Sequence, residues 1–361
     1  MNVLYYMEPE LHAGSRGGGV SMVAYHLTKA LANRARVTCF PSYIVSPRNY
    51  AANLLKVYSR FAIRDFEIIH FNLIPAWING GSMLLRFAKI TGAATLLNIH
   101  GIIQVEYLMD QPQTRKFRSI MDKYLMKTLR SCKSVDQVVT YSEFMRNQIV
   151  TWYGVNREKI AVIPNGVNLK KFSDCTGKLL LEGDPAILYV GYLSKFKSVD
   201  LLICAISELR SELPNMKLHI VGSGNQTELE LLAKKKQVEK VVVFHGKTNP
   251  EAVPLYYRSA DFCVFPSRRD SAGLTLLEAM SSGAPVIASN RGGTPEIITQ
   301  GKNGILFEPD DANALPEALL SLSQDSDLRK KLSSNALKTA ANYSWEKIAK
   351  KYISLYQSLR E

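Results

Sequence analysis

Short apolar runs alternate with amphipathic helical patterns along almost the whole chain. In the first half, runs rich in Val and Ile predict strands at Asn2–Tyr6, Arg36–Phe40, Phe66–Phe71, Ala94–Ile99, Asp136–Thr140 and Ile160–Ile163. Helical patterns lie between them, for instance at Val20–Ala32 and Phe117–Leu129. Strands with little polar alternation are typical of a parallel sheet that is buried on both faces. The first half therefore predicts a doubly wound α/β unit.

A second series of the same kind follows the short polar segment 173–177. Its predicted strands are Ala186–Val190, Lys217–Val221, Lys240–Phe244, Asp261–Phe265, Pro285–Ala288 and Gly304–Phe307. Near the end of the chain, Ser344 is the expected N-cap of a final helix. A chain of 361 residues exceeds what one core usually serves. We expect two doubly wound domains, 1–170 and 178–342, with ligands bound beyond the carboxyl ends of their strands.

Charge is unevenly distributed along the chain. The net charge is +13, and residues 1–170 hold 21 Lys and Arg against 10 Asp and Glu. This excess favours an anionic partner, which is a nucleic acid, an acidic membrane surface or a phosphorylated substrate, although a basic and inert surface fits equally well. The five cysteines have no CxxC spacing, which argues against a disulfide framework or a zinc site. The segment MNVLYYMEPE does not resemble a signal peptide, and no apolar run is long enough to span a membrane, so we expect a cytoplasmic protein.

Glycines cluster between the first predicted strand and the helix that follows it. The segment 14–19 reads GSRGGG, and Gly18 and Gly19 directly precede the helix. Glycines at such a turn let a backbone approach a ligand, and a helix N-terminus favours an anion. The pattern is neither a dinucleotide fingerprint, because Met22 stands where the last glycine belongs, nor a P-loop, because Val20 stands where lysine is required. A flexible surface loop is the alternative.

Other polar residues also follow predicted strands directly. His100 comes after the fourth strand, and Lys195 and Lys197 come after the seventh. The two ammonium groups are suited to neutralising a phosphate, although a solvated loop explains them as well. Gly222 and Gly224 form a GxG turn after the eighth strand, a turn that is common in any α/β unit. A single histidine is more often structural than catalytic.

Two carboxylates frame a predicted helix start in the segment RRDSAGLTLLEAM. Asp270 precedes the helix, Glu278 lies in its second turn, and Gly273, Leu274 and Thr275 lie at its start. The free N–H groups of this first turn would bind phosphate oxygens. Carboxylates repel phosphate but accept hydrogen bonds from paired sugar hydroxyls. The pattern therefore indicates a nucleotide sugar, with a capping Asp and a solvent-facing Glu as the alternative.

These motifs together resemble the family-four retaining glycosyltransferases of the GT-B fold. The resemblance rests on the acid-x7-acid pair at Asp270 and Glu278 and on the segments Gly283–Ser289, Gly292–Ile297 and Gly304–Phe307. Residues 163–168 with Phe172 match the family's domain junction, and Tyr343–Trp345 matches the start of its final helix. The resemblance implies an α/β GT-B architecture, with two Rossmann-like domains, a cleft between them and a C-terminal helix that crosses back to the first domain.

The resemblance also implies roles for individual residues. Glu278 would bind the donor ribose, Asp270 would face the transferred sugar, and Lys197 would hold the donor phosphate. The first turn of the helix, with Lys195 and the glycines after the eighth strand, would complete the donor site. The opposite side of the cleft would be lined by a group from the first domain: Gly18, Gly19, His100, Ser142 and Asn165. The catalytic residues would be His100, Asp270 and Lys197.

Two departures from the family pattern concern the donor site. The first acid is normally Glu and is Asp270 here, and the usual Gly-Arg pair is Gly191-Tyr192. The usual Lys-Gly is Lys197-Ser198. One phosphate-binding arginine is therefore missing, which leaves the identity of the donor open.

The resemblance implies retaining transfer of a hexosyl unit from a UDP- or GDP-sugar to a lipid-linked or envelope-glycan acceptor. No cofactor and no metal are expected, because the D-x-D at Asp325–Asp327 is better explained by helix capping. The alternatives are a sugar-nucleotide epimerase of the same fold and a catalytically inactive homologue that binds a membrane or a partner. Nucleic-acid binding is not expected, since no matching motif is present.

A basic amphipathic segment in the first half bears on location. Residues 113–135 carry seven Lys and Arg against one acid, Asp122, and the segment 48–64 adds Lys56 and Arg60 among apolar residues. Each basic side chain near an anionic bilayer contributes about 1 kcal/mol. We therefore expect peripheral association with the inner face of the cell membrane, with ordinary domain helices as the alternative.

Overall fold

The computed structural model describes residues 1–6, 19–40, 65–72, 81–101, 126–270 and 273–361. These residues form two compact units. The first unit comprises Met1–Gly166 together with Trp345–Glu361, and the second comprises Val167–Ser344.

The first unit is built on a parallel sheet of six strands. The strands are β1 (Asn2–Tyr6), β2 (Arg36–Phe40), β3 (Ile68–Phe71), β4 (Ala94–Asn98), β5 (Gln137–Thr140) and β6 (Ile160–Val162). Their order is β2-β1-β3-β4-β5-β6. The chain therefore moves to one side of β1 and then to the other, which places a topological switch point between β1 and β3. The prediction of a parallel α/β sheet in this half is confirmed.

Helices connect these strands and cover the sheet. They span Gly19–Ala32, Gly81–Thr91, Glu143–Tyr153 and, at the end of the chain, Trp345–Ser358. The predicted helix at Phe117–Leu129 lies largely outside the described residues. The described residues 126–134, which include its last part, are helical. Side chains from β1, β3, β4 and β5 pack with two of these helices in one core, which includes Leu4, Ile69, Leu97, Val138 and Ile149.

The C-terminal helix packs within the first unit. The indole of Trp345 covers Gly166, where an added Cβ would lie only 2.5 Å from the ring. The indole of Trp345 also stacks on His26, with ring centroids 5.8 Å apart. Tyr352 and Tyr356 are almost completely buried. Because burial of one large apolar side chain contributes about 1.5–3 kcal/mol, these rings tie the helix to the sheet.

The second unit repeats the architecture of the first. Its strands are β7 (Ala186–Val190), β8 (Lys217–Val221), β9 (Val242–Gly246), β10 (Phe262–Phe265), β11 (Val286–Ser289) and β12 (Ile305–Phe307). The order is β12-β11-β10-β7-β8-β9, and all pairs are parallel. Along β7, Ile187 and Tyr189 enter one core while Leu188 and Val190 enter another. The sheet is therefore buried on both faces, as the lack of polar alternation predicted.

Seven helices are described in this unit. They span Leu169–Ser173, Val199–Leu209, Gln226–Lys235, Val253–Ser259, Leu274–Ser281, Ala314–Gln324 and Ser326–Ala340. The carboxylate of Asp325 accepts a hydrogen bond from the N–H of Leu328 at 2.8 Å, which confirms the predicted N-cap. Within the described residues, no helix combines the length and the apolar composition that crossing a bilayer requires.

Candidate functional site

The second sheet has its switch point between β10 and β7, and two polar loops meet there. A 3-10 turn at Lys195–Lys197 follows β7, and the loop that ends at Asp270 follows β10. The N–H of Arg268 donates to the carbonyl of Phe196 at 3.0 Å, which joins the two loops through the backbone. Ligands of open α/β sheets bind at such a point.

Lys197 and Asp270 form an ion pair at this switch point. The ammonium Nζ lies 2.7 Å from Oδ2 of Asp270, and the two side chains are only 20% and 18% exposed. The other carboxylate oxygen, Oδ1, accepts the N–H of Gly273 at 3.1 Å. One carboxylate therefore joins the lysine to the start of the helix. The sequence could not show this pair, since 73 residues separate its members.

Glycines hold the backbone of Asp270 in place. The N–H of Gly293 donates to the carbonyl of Asp270 at 2.8 Å. The neighbouring Gly292 has φ +68°, and a Cβ there would lie 2.4 Å from the same carbonyl oxygen. This close approach needs glycine, so the Gly292–Gly293 segment has a positioning role.

The three residues predicted to hold phosphate lie at a helix N-terminus. Gly273 adopts φ +55°, and the helix runs from Leu274 to Ser281. The carbonyl of Thr275 accepts a hydrogen bond from the hydroxyl of Tyr257 at 3.2 Å. The prediction of a helix that starts beside Asp270 is confirmed, and the binding role of these residues stays a prediction.

Glu278 lies in the second turn of that helix, against the same tyrosine. The Tyr257 hydroxyl donates to Oε2 of Glu278 at 3.3 Å. Burial raises the pKa of the Glu278 carboxyl to about 7, while Lys171 and the tyrosine hydrogen bond oppose the shift. Glu278 is half-buried and accepts this hydrogen bond, so its side chain is not turned wholly to solvent. Tyr257, which approaches from the helix Val253–Ser259, was not predicted from the sequence.

Gly222 and Gly224 have a packing role that the sequence did not reveal. A Cβ on Gly222 would lie 1.8 Å from the carbonyl oxygen of Gly191, and one on Gly224 would lie 2.4 Å from that of Leu193. The loop after β8 thus lies directly on the loop after β7. The two glycines support the loop that carries Lys197, and their contact with a donor stays a prediction. Lys195 is exposed, and its carbonyl accepts the N–H of Ser198 at 3.1 Å.

In the first unit, His100 lies in a hydrogen-bonded network at the carboxyl end of the sheet. Its Nε2 lies 3.0 Å from the carbonyl oxygen of Asn72 and 3.1 Å from Oδ1 of the same residue. Both are acceptors, so Nε2 carries the proton and Nδ1 accepts from the Tyr141 hydroxyl at 2.8 Å. Burial lowers the pKa of His100 to about 4, so the imidazole is neutral at physiological pH.

Asn72 is the centre of this network, and sequence reasoning missed it. Its Oδ1 also accepts from the hydroxyl of Tyr5 at 2.7 Å and from Nδ2 of Asn98 at 3.3 Å. The ends of three strands, β1, β3 and β4, are thereby joined through one buried amide. The only signal in the sequence is its position directly after a strand.

The remaining predicted residues of the first unit are placed as follows. Ser142 caps the helix Glu143–Tyr153, where Oγ accepts the N–H of Met145 at 3.2 Å. Asn165 is buried, and its Oδ1 has no hydrogen-bond partner within the described ranges. Gly19 begins the first helix, and Gly18 lies outside the described residues.

Comparison with known proteins identifies the family. Two family models match, "Glycosyltransferase Family 4" over residues 39–171 and "Glycosyl transferases group 1" over residues 176–339. A D-inositol 3-phosphate glycosyltransferase of Nocardia farcinica is 30% identical over 328 residues, which is 86% of this chain and 70% of the relative. The chain belongs to the group 1 glycosyltransferases.

Other members of this glycosyltransferase group match less completely. A D-inositol 3-phosphate glycosyltransferase of Corynebacterium urealyticum is 32% identical over 224 residues, which is 57% of this chain. The alignment spans only 53% of that relative.

Solved structures confirm the GT-B fold. A sucrose-phosphate synthase from Thermosynechococcus elongatus has a TM-score of 0.78 at 22% identity and covers 99% of this chain and 98% of its own. HepE of Anabaena, solved in complex with UDP, has a TM-score of 0.76 at 17% identity and covers 99% of both chains. In the described part of this glycosyltransferase, no group of three or more His, Cys, Asp or Glu side chains is arranged to hold a metal ion.

Proposed function

We propose that this glycosyltransferase moves a hexosyl unit from a UDP- or GDP-sugar, with retention at the anomeric carbon, to a lipid-linked or envelope-glycan acceptor. The observation that carries the donor assignment is the meeting of Lys197, Asp270 and the start of the helix Leu274–Ser281 at the switch point of the second sheet. The solved complexes of HepE with UDP and UDP-glucose support a nucleotide-sugar donor.

The donor diphosphate would lie between the ammonium of Lys197 and the first N–H groups of the helix. Both are donors that are already oriented, and a partly buried ammonium stabilises a leaving phosphate more than an exposed one. Negative charge develops on the leaving diphosphate as the sugar bond breaks, so these donors would lower the barrier.

The two acids would hold the sugars of the donor. Glu278, fixed by Tyr257, would accept hydrogen bonds from the ribose hydroxyls. Asp270 would turn to the hydroxyls of the transferred hexose. Lys195, Gly222 and Gly224 would border the donor.

The acceptor side would be formed by the first unit. His100 is neutral, and both of its ring nitrogens are hydrogen-bonded to protein groups. Its role would therefore be to hold the polar groups of Asn72 and Tyr141 in position for the substrate, and not to transfer a proton. Gly18, Gly19, Ser142 and Asn165 would line the same side. The basic segments 113–135 and 48–64, which lie largely outside the described residues, would face an anionic membrane.

A panel of UDP- and GDP-sugars in thermal shift would test the donor, because a bound ligand raises the melting temperature. Nucleotide release with candidate acceptors, followed by the anomeric configuration of the product, would test the transfer and its stereochemistry. No stabilisation by any nucleotide sugar would contradict the proposal. An isomerised sugar, either free or still linked to the nucleotide, would indicate an epimerase instead.

A further inference from the structure

The carboxylate of Asp270 occupies the donors that a phosphate at this site would use. Its Oδ2 accepts from Lys197 at 2.7 Å and its Oδ1 accepts from the N–H of Gly273 at 3.1 Å. A carboxylate and a phosphate both present two oxygens to neighbouring donors. In the described structure, an anion of the protein itself therefore stands where a ligand anion is expected.

Backbone contacts hold the loop that carries this carboxylate. The carbonyl of Asp270 is held by Gly293, and the preceding loop is held by the Arg268–Phe196 hydrogen bond. The backbone is thus held at Arg268 and at Asp270, and release of the carboxylate requires a rotation of the Asp270 side chain. An Asp is short enough to accept the N–H three residues further on, as N-cap residues do. The glutamate that is usual in the family is one methylene longer.

The pair is also poorly screened. Each side chain is about four-fifths buried, so the attraction between them is stronger than for a surface ion pair. A diphosphate that binds Lys197 must therefore compete with this internal charge.

We propose that Asp270 is an internal competitor of the donor diphosphate. Its carboxylate neutralises Lys197, and when the donor binds, the ammonium and the Gly273 N–H exchange the carboxylate for the phosphate. The released carboxylate then turns toward the hexose hydroxyls. This inference rests on the proposed function, since it concerns the same donor site.

The test is the affinity for UDP of the Asp270→Asn variant, measured by calorimetry on the full chain. The amide keeps the shape and an acceptor for Gly273 but removes the charge that holds Lys197. We expect the Kd for UDP to fall at least about fivefold, which corresponds to the upper end of the range for an exposed ion pair. The affinity for pyrophosphate should rise as the affinity for UDP does. Uridine, which has no phosphate, should bind the variant and the wild type equally.

Two variants separate competition from a general effect of charge. Asp310→Asn removes one negative charge elsewhere in the same unit. Asp310 forms ion pairs with Arg268 and Arg291 and not with Lys197. This variant should change the Kd for UDP far less. In a Lys197→Met background, Asp270→Asn should no longer tighten UDP, because the competition requires the ammonium.

Unchanged or weaker UDP binding by Asp270→Asn would overturn the inference, as would an equal gain with uridine or with Asp310→Asn. If wild-type protein binds UDP or GDP and the variant binds no tighter, only this inference fails. If neither protein binds any nucleoside diphosphate or pyrophosphate, the proposed function fails with it. Asp270→Ser, which keeps a capping oxygen without charge, repeats the test if the Asn variant does not fold.

Discussion

His70 makes the stability of the first unit depend on pH. The side chain is fully buried on β3, and its Nδ1 lies 2.6 Å from the hydroxyl of Tyr356 on the C-terminal helix. Its Nε2 has no hydrogen-bond partner among the described residues. Burial lowers the pKa of His70 from 6.5 to about 3, with the neighbouring His100 adding to the shift.

The sign follows from proton binding in the two states. Below pH 6.5 the unfolded chain binds a proton at His70 that the folded chain does not bind until about pH 3. The free energy of unfolding therefore falls as the pH falls from 6.5 toward 3. At pH 5 the difference is 1.5 pH units, which corresponds to a loss of about 2 kcal/mol relative to pH 8.

The perturbation is His70→Phe, which keeps an aromatic ring but cannot titrate. All three tryptophans, Trp77, Trp152 and Trp345, lie within the sequence ranges of the first unit, so urea unfolding followed by tryptophan fluorescence reports on that unit. The loss of stability from pH 8 to pH 5 should be about 2 kcal/mol smaller in the variant than in the wild type. Other titrating groups cancel in this difference.

Tyr356→Phe is the matched control, because it removes the same hydrogen bond and leaves His70 able to titrate. It should be less stable at both pH values and keep the full pH dependence of the wild type. The reasoning would be refuted if His70→Phe lost as much stability as the wild type between pH 8 and pH 5.

Three further predictions concern the donor site, the second sheet and the membrane. If the charged carboxylate of Glu278 binds the ribose, the affinity for UDP should fall by up to about tenfold for each pH unit below 7, because the pKa of Glu278 is about 7. Calorimetry should show no such pH dependence in Glu278→Gln; an equal pH dependence in the two proteins would remove the assignment. Gly222→Ala should destabilise the second unit by roughly 3 kcal/mol or more, because its Cβ would meet the Gly191 carbonyl. Gly246→Ala, at φ +65° with nothing within 4 Å, should cost only about 1 kcal/mol. Urea unfolding followed by circular dichroism measures both variants, since the second unit contains no tryptophan; equal losses would refute the packing argument. In flotation at low salt, the protein should rise with anionic but not neutral liposomes, and charge reversal within residues 113–135 should abolish this; absence from both liposomes would remove the membrane proposal.

The strands could be predicted because a strand that is buried on both faces consists of consecutive apolar residues. The run Ala186–Val190 consists only of Ala, Ile, Leu, Tyr and Val, and the structure places a strand at those five residues. The ends of a strand are harder to predict where they depend on pairing with the neighbouring strand. The ninth strand was predicted at Lys240–Phe244 and runs from Val242 to Gly246, beside an irregular register at Ile220–Val221 on β8.

Within the candidate site, the sequence showed which residues belong to one helix start. Asp270 and Glu278 are eight positions apart, so helical geometry alone relates them to the N–H groups of the first turn. No sequence pattern indicated that Tyr257 contacts the site, because a buried tyrosine cannot be distinguished by its position from other core residues. Its contact with Glu278 depends on how two helices pack.

Three features can be predicted from short-range patterns of residue type and spacing: the two parallel sheets, the helix start beside Asp270 and the family of the chain. The tertiary structure was needed to place β10 beside β7, and therefore to bring Asp270 to Lys197 across 73 residues. It also decided the protonation of Glu278, His70 and His100, since the cost of charging a side chain depends on the surrounding protein and not on its neighbours along the chain.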